Sequence, residues 1–331
     1  MKRFFGLLLL LIVVAASTVA FVLLTPTGPH TETFLEIAPG TPSMKIAAQL
    51  QRQGFILNRY VFEALHVVRG GSLKAGEYRF DHPSRMSEVY SRLVRGDVYT
   101  RALTIPEGAN IFDIAQRVEA AQLGSREAFL AAARKDTALI SDIDPLADSL
   151  EGYLFPDTYH FERLVTPEHM VATMVRRFRE AAALAGLTSG FHKVIIIASL
   201  VEKETPIDSE RPLVASVFEN RLAQGMPLMT DPSVIYAALL DGRYRGTIYQ
   251  SDLAADSPYN TYKHAGLPPG PVCNPGMASI KAAMSPAKSN YLYFVAAGAD
   301  PAGHSRFAAT LEEHQRNVAA YRHAVHAGGT Q

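Results

Sequence analysis

Apolar positions recur at i, i+3 and i+4 or alternate along most of this chain, but the first stretch does neither. From Phe4 to Leu24 no charged residue occurs and the run is almost wholly apolar. Its 21 positions suffice for a membrane-crossing helix, which needs about 20 residues. Farther along, two segments share a plan. Leu35-Glu36-Ile37 alternates, turns at Pro39-Gly40, and enters a helical pattern through Ile46, Ala47 and Leu50. Leu103-Thr104-Ile105 alternates, turns at Pro106-Glu107-Gly108, and leads to Ile111, Ile114, Ala115 and Val118. Each reads as strand, turn and amphipathic helix. Between them, residues 75–80 read as another strand. Met86, Val89, Leu93 and Val94 read as a helix ending at Gly96.

Beyond about residue 150 the pattern is mostly helical, interrupted by Pro/Gly-rich segments. Thr166-Pro167-Glu168 opens a helix with proline at its first position. His192 to Glu204 is apolar nearly all round. Three consecutive isoleucines favour a strand, but the pattern continues into Glu202-Lys203-Glu204 without a turn signal, which favours a buried helix. Pro206 would end it. Leu213 to Leu222 forms the next helix, stopped near Gly225. Asp231-Pro232-Ser233 starts a third, with Asp231 read as its cap. Tyr291 to Val295 reads as a strand and Leu311 to Val325 as a final helix. The chain is therefore expected to be α+β. Its parts are a membrane helix (1–25), a stiff linker (26–33), a small α+β module (34–98), a connecting α+β segment (99–149) and a larger α+β domain (150–331).

Charge changes this picture little. Lys and Arg number 32, as do Asp and Glu, so no nucleic-acid partner is expected. Lys2 and Arg3 precede the apolar run, which places the N-terminus in the cytoplasm by the positive-inside rule. A cleaved signal peptide, cut after Thr18-Val19-Ala20, is the alternative. The apolar run outlasts the usual 7–15-residue signal core, which favours a retained anchor. The lone Cys273 has no partner for a disulfide. The histidines show no metal-ligand spacing, and neither metal nor cofactor is expected. Tryptophan is absent, so sugar stacking would fall to Tyr and Phe.

Two segments suggest chemistry. Glu202 closes the apolar helix, where desolvation raises a carboxyl pKa and suits it to protonate a glycosidic oxygen. Glu204 lies about 200° away on the helix, so one carboxylate can face a cleft while the other pairs with solvent, Lys203 or Arg211. Taken locally, both also read as ordinary polar residues ending a helix. The second segment runs from Ser257 to Gly276 and is dense in Pro, Gly, Tyr and Asn. It cannot form regular structure and reads as an ordered loop. Within it Tyr259, Asn260 and Tyr262 offer ring faces and amide hydrogen bonds to a sugar. Asp157 and Asp231 are expected to cap turns.

At these residues the chain resembles the endolytic lytic transglycosylases of the YceG-like (MltG-type) family. The matching stretches are residues 151–159, Ala198 to Thr205, Val214 to Leu222 with Gly225-Met226, Thr230-Asp231-Pro232, Tyr259 to Tyr262 with the Gly-Leu-Pro-Pro-Gly that follows, Asn274-Pro275-Gly276, and Tyr291 to Val295. The resemblance implies that residues 34–98 are LysM-like. It also implies cleavage of the β-1,4 bond between N-acetylmuramic acid and N-acetylglucosamine, leaving a 1,6-anhydro end. It places the single acid/base at the first Glu of Glu-Lys-Glu, here Glu202, with peptidoglycan as substrate, an inner-membrane location and a periplasmic catalytic part. Peptidoglycan synthases are the expected protein partners. Two alternatives remain at this level: a glycan-binding scaffold without activity, and a hydrolytic muramidase using Glu202 and Glu204 together.

Overall fold

The computed structural model describes residues 2–298, 300 and 303–328. Met1, and Gly329 to Gln331 at the far end, lie outside the described residues, so the outer ends of the first and last expected ranges do too. The chain forms two compact units, residues 1–101 with 160–163, and residues 102–159 with 164–331.

The first unit begins with α1 (Lys2–Leu24). Its apolar span, Phe4–Leu24, leaves its side chains largely uncovered, and 21 residues rise about 32 Å. Only its end is engaged: Val22 and Leu23 pack on the core of the unit. That core lies under β1 (Thr33–Ile37) and β2 (Gly76–Phe80), an antiparallel pair with Leu35 opposite Tyr78. Leu35 and Ile37 point inward, as the alternation requires. Around the pair pack α2 (Ser43–Arg52), α3 (Arg59–Arg69) and α4 (Met86–Arg95). Asn58 caps α3 by accepting from the Tyr60 and Val61 amides. Gly96 ends α4 in the left-handed conformation, as expected. The segment after α1 does not stand free as a linker. Thr27 N–H donates to the Ser84 carbonyl and accepts from Ser84 N–H through its own carbonyl, at 3.0 and 2.9 Å.

The second unit is mainly helical. Short strands β3 (Arg101–Thr104) and β4 (Thr158–Phe161) form a two-stranded sheet. The helices are α5 (Ile111–Ala120), α6 (Arg126–Lys135), α7 (Pro167–Ala185), α8 (Phe191–Glu204), α9 (Arg211–Ala223), α10 (Asp231–Leu240), the single turn α11 (Gln250–Leu253), α12 (Met277–Met284) and α13 (Leu311–Gly328). An antiparallel pair, β5 (Tyr293–Ala296) with β6 (Ser305–Ala308), precedes α13. α8 is the centre. Every residue from Ile195 to Val201 is buried, and α9, α10 and α12 pack around it. A helix apolar on all sides must be enclosed in this way, and enclosure overrides the strand preference of its isoleucines. The aspartate expected to cap α10 does not. Thr230 is the N-cap and Asp231 falls in the first turn, with Pro232 beside it.

Candidate active site

α8 ends at Glu204 because Thr205 turns extended (φ −144°, ψ 131°) and Pro206 cannot continue a helix. The final turn therefore carries Glu202 and Glu204 on different sides, and the structure gives them different surroundings.

Glu202 faces inward. Its Oε1 meets the Arg211 guanidinium at 3.0 Å, with both side chains only 6% exposed. Its Oε2 accepts from Gly276 N–H at 2.9 Å. Arg211 also donates to Ser279 Oγ and holds Asp208 at 3.0 Å. Behind it stands Glu107, its carboxyl pushed above the ordinary value by burial first and by the charge of Glu202 second. Gly276 is needed here: a Cβ on it would fall 1.8 Å from Glu107 Oε1. A second buried clamp adjoins this one. Asn274 donates to the Ala109 carbonyl and to Glu151 Oε1, and its Oδ1 accepts from Leu154 N–H. Glu151 Oε2 accepts from Ile111 N–H, yet full burial pushes this carboxyl up to about 8. Glu107 and Lys203 line an adjacent groove of about 560 Å³, whereas Glu202 is tied into the wall behind it.

Glu204 faces the other way, onto a pocket of about 600 Å³. Its lining includes Arg221, Met229, Thr230, Asp231, Tyr262, Tyr293 and His314. Burial pushes the Glu204 carboxyl up to about 7; the negative charge of Asp231 adds to this, and Arg221 opposes it. Arg221 is fixed by backbone carbonyls, donating to Leu292 and Leu228 at 2.7 Å each, and lies over the Tyr293 ring. His314 stacks on Tyr293 with ring centres 5.0 Å apart; burial, then Arg221, lowers its pKa. The wall is thus preorganised and partly cationic beside one carboxyl poised near neutrality.

The loop residues divide between these roles. Tyr262 reaches the pocket, and its hydroxyl donates to Asp231 Oδ1 at 2.7 Å. Asn260 is 1% exposed and spends its amide inside the loop, donating to the Leu253 and Ala255 carbonyls and accepting from Tyr262 N–H. Tyr259 is likewise buried, against Tyr236. Thr261 pins the loop to α10, its Oγ1 accepting from Thr230 N–H at 3.0 Å. Of the three expected sugar contacts, the structure brings Tyr262 alone to the Glu204 pocket and uses the other two to hold it there. Asp157 accepts from Thr158 N–H and pairs with Arg177, a local structural duty.

Sequence patterning missed Arg221, Glu107 and His314. Glu107 sits in a plain turn signal and Arg221 on an ordinary helix, and only the chain's return through residues 274–276 and 291–293 gives them company. Among the described residues no cluster of His, Cys, Asp or Glu suited to a metal is present.

Comparison with known proteins adds a family to this geometry. The YceG-like family model matches residues 35–320. The chain belongs to the YceG-like family. It is 32% identical over 303 residues to a Bacillus subtilis (strain 168) protein named endolytic murein transglycosylase, covering 85% of this chain and 82% of that relative. It is also 32% identical over 319 residues to a protein of that name from Streptococcus pneumoniae (strain R6), covering 86% of this chain but 57% of the longer relative. A crystal structure of a YceG-like protein from Listeria monocytogenes matches with a TM-score of 0.55 and 32% identity, over 87% of this YceG-like chain and 99% of the other. The Glu202–Thr205 turn, Arg211 and Asn274–Gly276 all lie within the matched span.

Proposed function

We propose that this protein is an endolytic murein transglycosylase, a lyase that cuts peptidoglycan glycan strands between N-acetylmuramic acid and N-acetylglucosamine, with Glu204 as its acid/base. Family membership and the names of the relatives support the reaction. The observation that carries the assignment of the acid is the contrast at the end of α8. One carboxyl is locked to an arginine, and the other is raised to about 7 at the wall of an open pocket.

The chemistry needs a single group. Glu204 in its acid form protonates the glycosidic oxygen as the C1–O bond breaks, and N-acetylglucosamine leaves with its 4-hydroxyl restored. The muramyl 6-hydroxyl attacks C1 and gives its proton to the Glu204 carboxylate, closing the 1,6-anhydro ring and resetting the acid. No water is consumed, so the second carboxylate of a hydrolase is not required; the nucleophile is part of the substrate and needs only to be held in place. Tyr262 and Arg221 flank the pocket and would position the sugar.

Glu202, the residue favoured by sequence resemblance, is the second reading. Its proximity to Glu107 and the 560 Å³ groove favours it, but acid chemistry there would need Arg211 to release it.

In the same reading α1 is a single-pass anchor in the inner membrane, with its N-terminus cytoplasmic and the catalytic part periplasmic. Residues 34–98 act as a LysM-like glycan contact, and synthases are the neighbours whose nascent strands are trimmed.

Mass spectrometry of the products from purified glycan strands tests the reaction. Internal cuts ending in 1,6-anhydromuramic acid are expected. Reducing muramyl ends would mean hydrolysis, and uncut strands would leave a scaffold.

A further inference from the structure

We propose that the first unit carries a head-group site for an anionic phospholipid at the point where the chain leaves the membrane. The inference rests on reading α1 as a membrane span. A basic cup of about 500 Å³ opens beside α4. Three arginines line it, Arg69, Arg92 and Arg95, with the small hydroxyls of Ser87 and Ser91 between them. The one acidic residue in the lining, Glu88, is held by Arg85 N–H at 2.9 Å and keeps its negative charge. Arg92 is partly neutralised by Asp97 at 3.2 Å. Arg69 and Arg95 have no side-chain partner among the described residues, so against Glu88 and Asp97 the three arginines still leave the cup net positive.

Its place in the fold selects the ligand. Ser84 lines the same cup, and both its backbone N–H and its carbonyl bond Thr27. Thr27 is three residues past Leu24, the end of the apolar helix, and three residues reach about 10 Å at most. The polar head-group layer on each side of a bilayer is roughly 5–8 Å deep. The cup therefore lies within reach of lipid phosphates whenever α1 spans. A second feature points the same way. Val67 and Val68, next to Arg69 at the end of α3, are 81% and 84% exposed, and α3 packs on α1. Exposed aliphatic residues beside arginines are the pattern of a segment resting in a membrane interface. A phosphodiester with hydroxyls beyond it, as in phosphatidylglycerol, matches arginines flanked by serines.

The test uses the full chain in two steps. First, the chain is incorporated into phosphatidylcholine liposomes and washed with alkali. Retention is expected. Release would overturn the span and the site with it. Second, the chain is held in micelles containing equal phosphatidylglycerol and phosphatidylcholine, and retained lipid is counted by native mass spectrometry. The expected preference for phosphatidylglycerol falls about thirtyfold in the Arg69→Gln, Arg95→Gln double variant, since each arginine near a membrane surface is worth about a factor of five. It persists in an Arg306→Gln, Arg322→Gln variant, which loses the same charge elsewhere. No preference in the wild type, an equal fall in both variants, or displacement of the lipid by millimolar inorganic phosphate would each overturn the head-group site while leaving the span intact.

Discussion

Two glutamates two positions apart show how a neighbour decides chemistry. The sequence predicts that Glu202 and Glu204 point to different sides of α8, and that one meets an open cleft while the other pairs. It also names Arg211 as an available partner. What it lacks is the path of the chain after Pro206, which brings Arg211 back to Glu202 rather than to Glu204. Local spacing therefore yields the division of labour but leaves open which carboxylate takes which part; the resemblance favours Glu202 as the acid, whereas the Arg211 pairing is the ground on which Glu204 is proposed. The pair makes a stability prediction. Glu202→Gln takes one of two carboxylates from a buried guanidinium that keeps Asp208 and Ser279; breaking a buried pair outright costs about 3–5 kcal/mol, and chemical denaturation should show a clear loss below that range. The pocket makes a pH prediction. Glu204 must be protonated to act, and its pKa of about 7 sets an alkaline limb on kcat/KM near that value. Asp231→Asn removes a negative charge that raises the Glu204 pKa, so the limb should move to lower pH. A limb that stays in place in that variant would detach it from Glu204.

Elements were the most legible level. Helical spacing and helix start signals placed α2, α4, α5, α7, α9, α10 and α13, an unbroken apolar run placed α8, and strand-like runs placed β1, β2, β3 and β5. The helices missed share a cause. α3 buries fully only Phe62, so its apolar stripe is too thin to read. α6 and α12 are alanine-rich with few large apolar positions. β4 and β6 were missed as well, although they are no shorter than β3 and β5. The loop from 257 to 276 was legible as ordered and irregular, but not which of its side chains would turn inward. Asn260 is consumed by backbone groups within seven residues of it, and Asn274 by backbone groups more than a hundred residues away. The Asn274–Gly276 return is tight enough to test. Gly276→Ala puts a methyl against the Glu107 carboxylate and should lower Tm by several degrees while leaving secondary structure content unchanged in circular dichroism. The adjacent clamp has a pH signature. Glu151 has its pKa raised from 4.5 to about 8, so the folded state holds a proton that the unfolded state loses in that range. Its contribution to stability is full below about 4.5 and is lost as pH rises through about 8. Glu151→Gln should flatten the decline of Tm across that window, and an unchanged slope would place the titration elsewhere.

For the whole molecule, the division into a first unit that begins with the apolar helix and a helical second unit follows from where the apolar surface is. One core lies under the β1–β2 pair and the other encloses α8. The reaction chemistry proposed for this family member is contained in the second unit, since Glu204, Arg221, Asp231, Tyr262 and His314 all belong to it. The first unit begins with the apolar helix and is bound to it through Val22, Leu23 and the Thr27–Ser84 bridge. Glycan cleavage should therefore survive disruption of the anchor, whereas membrane retention should not. The most direct test compares Glu204→Gln and Glu202→Gln side by side, with folding checked by Tm and anhydro-muropeptide release measured per folded molecule. The account predicts that Glu204→Gln keeps its Tm and loses about 10²–10⁴-fold in rate, while Glu202→Gln loses Tm and retains substantial release. Wild-type release from a folded Glu204→Gln protein would contradict it.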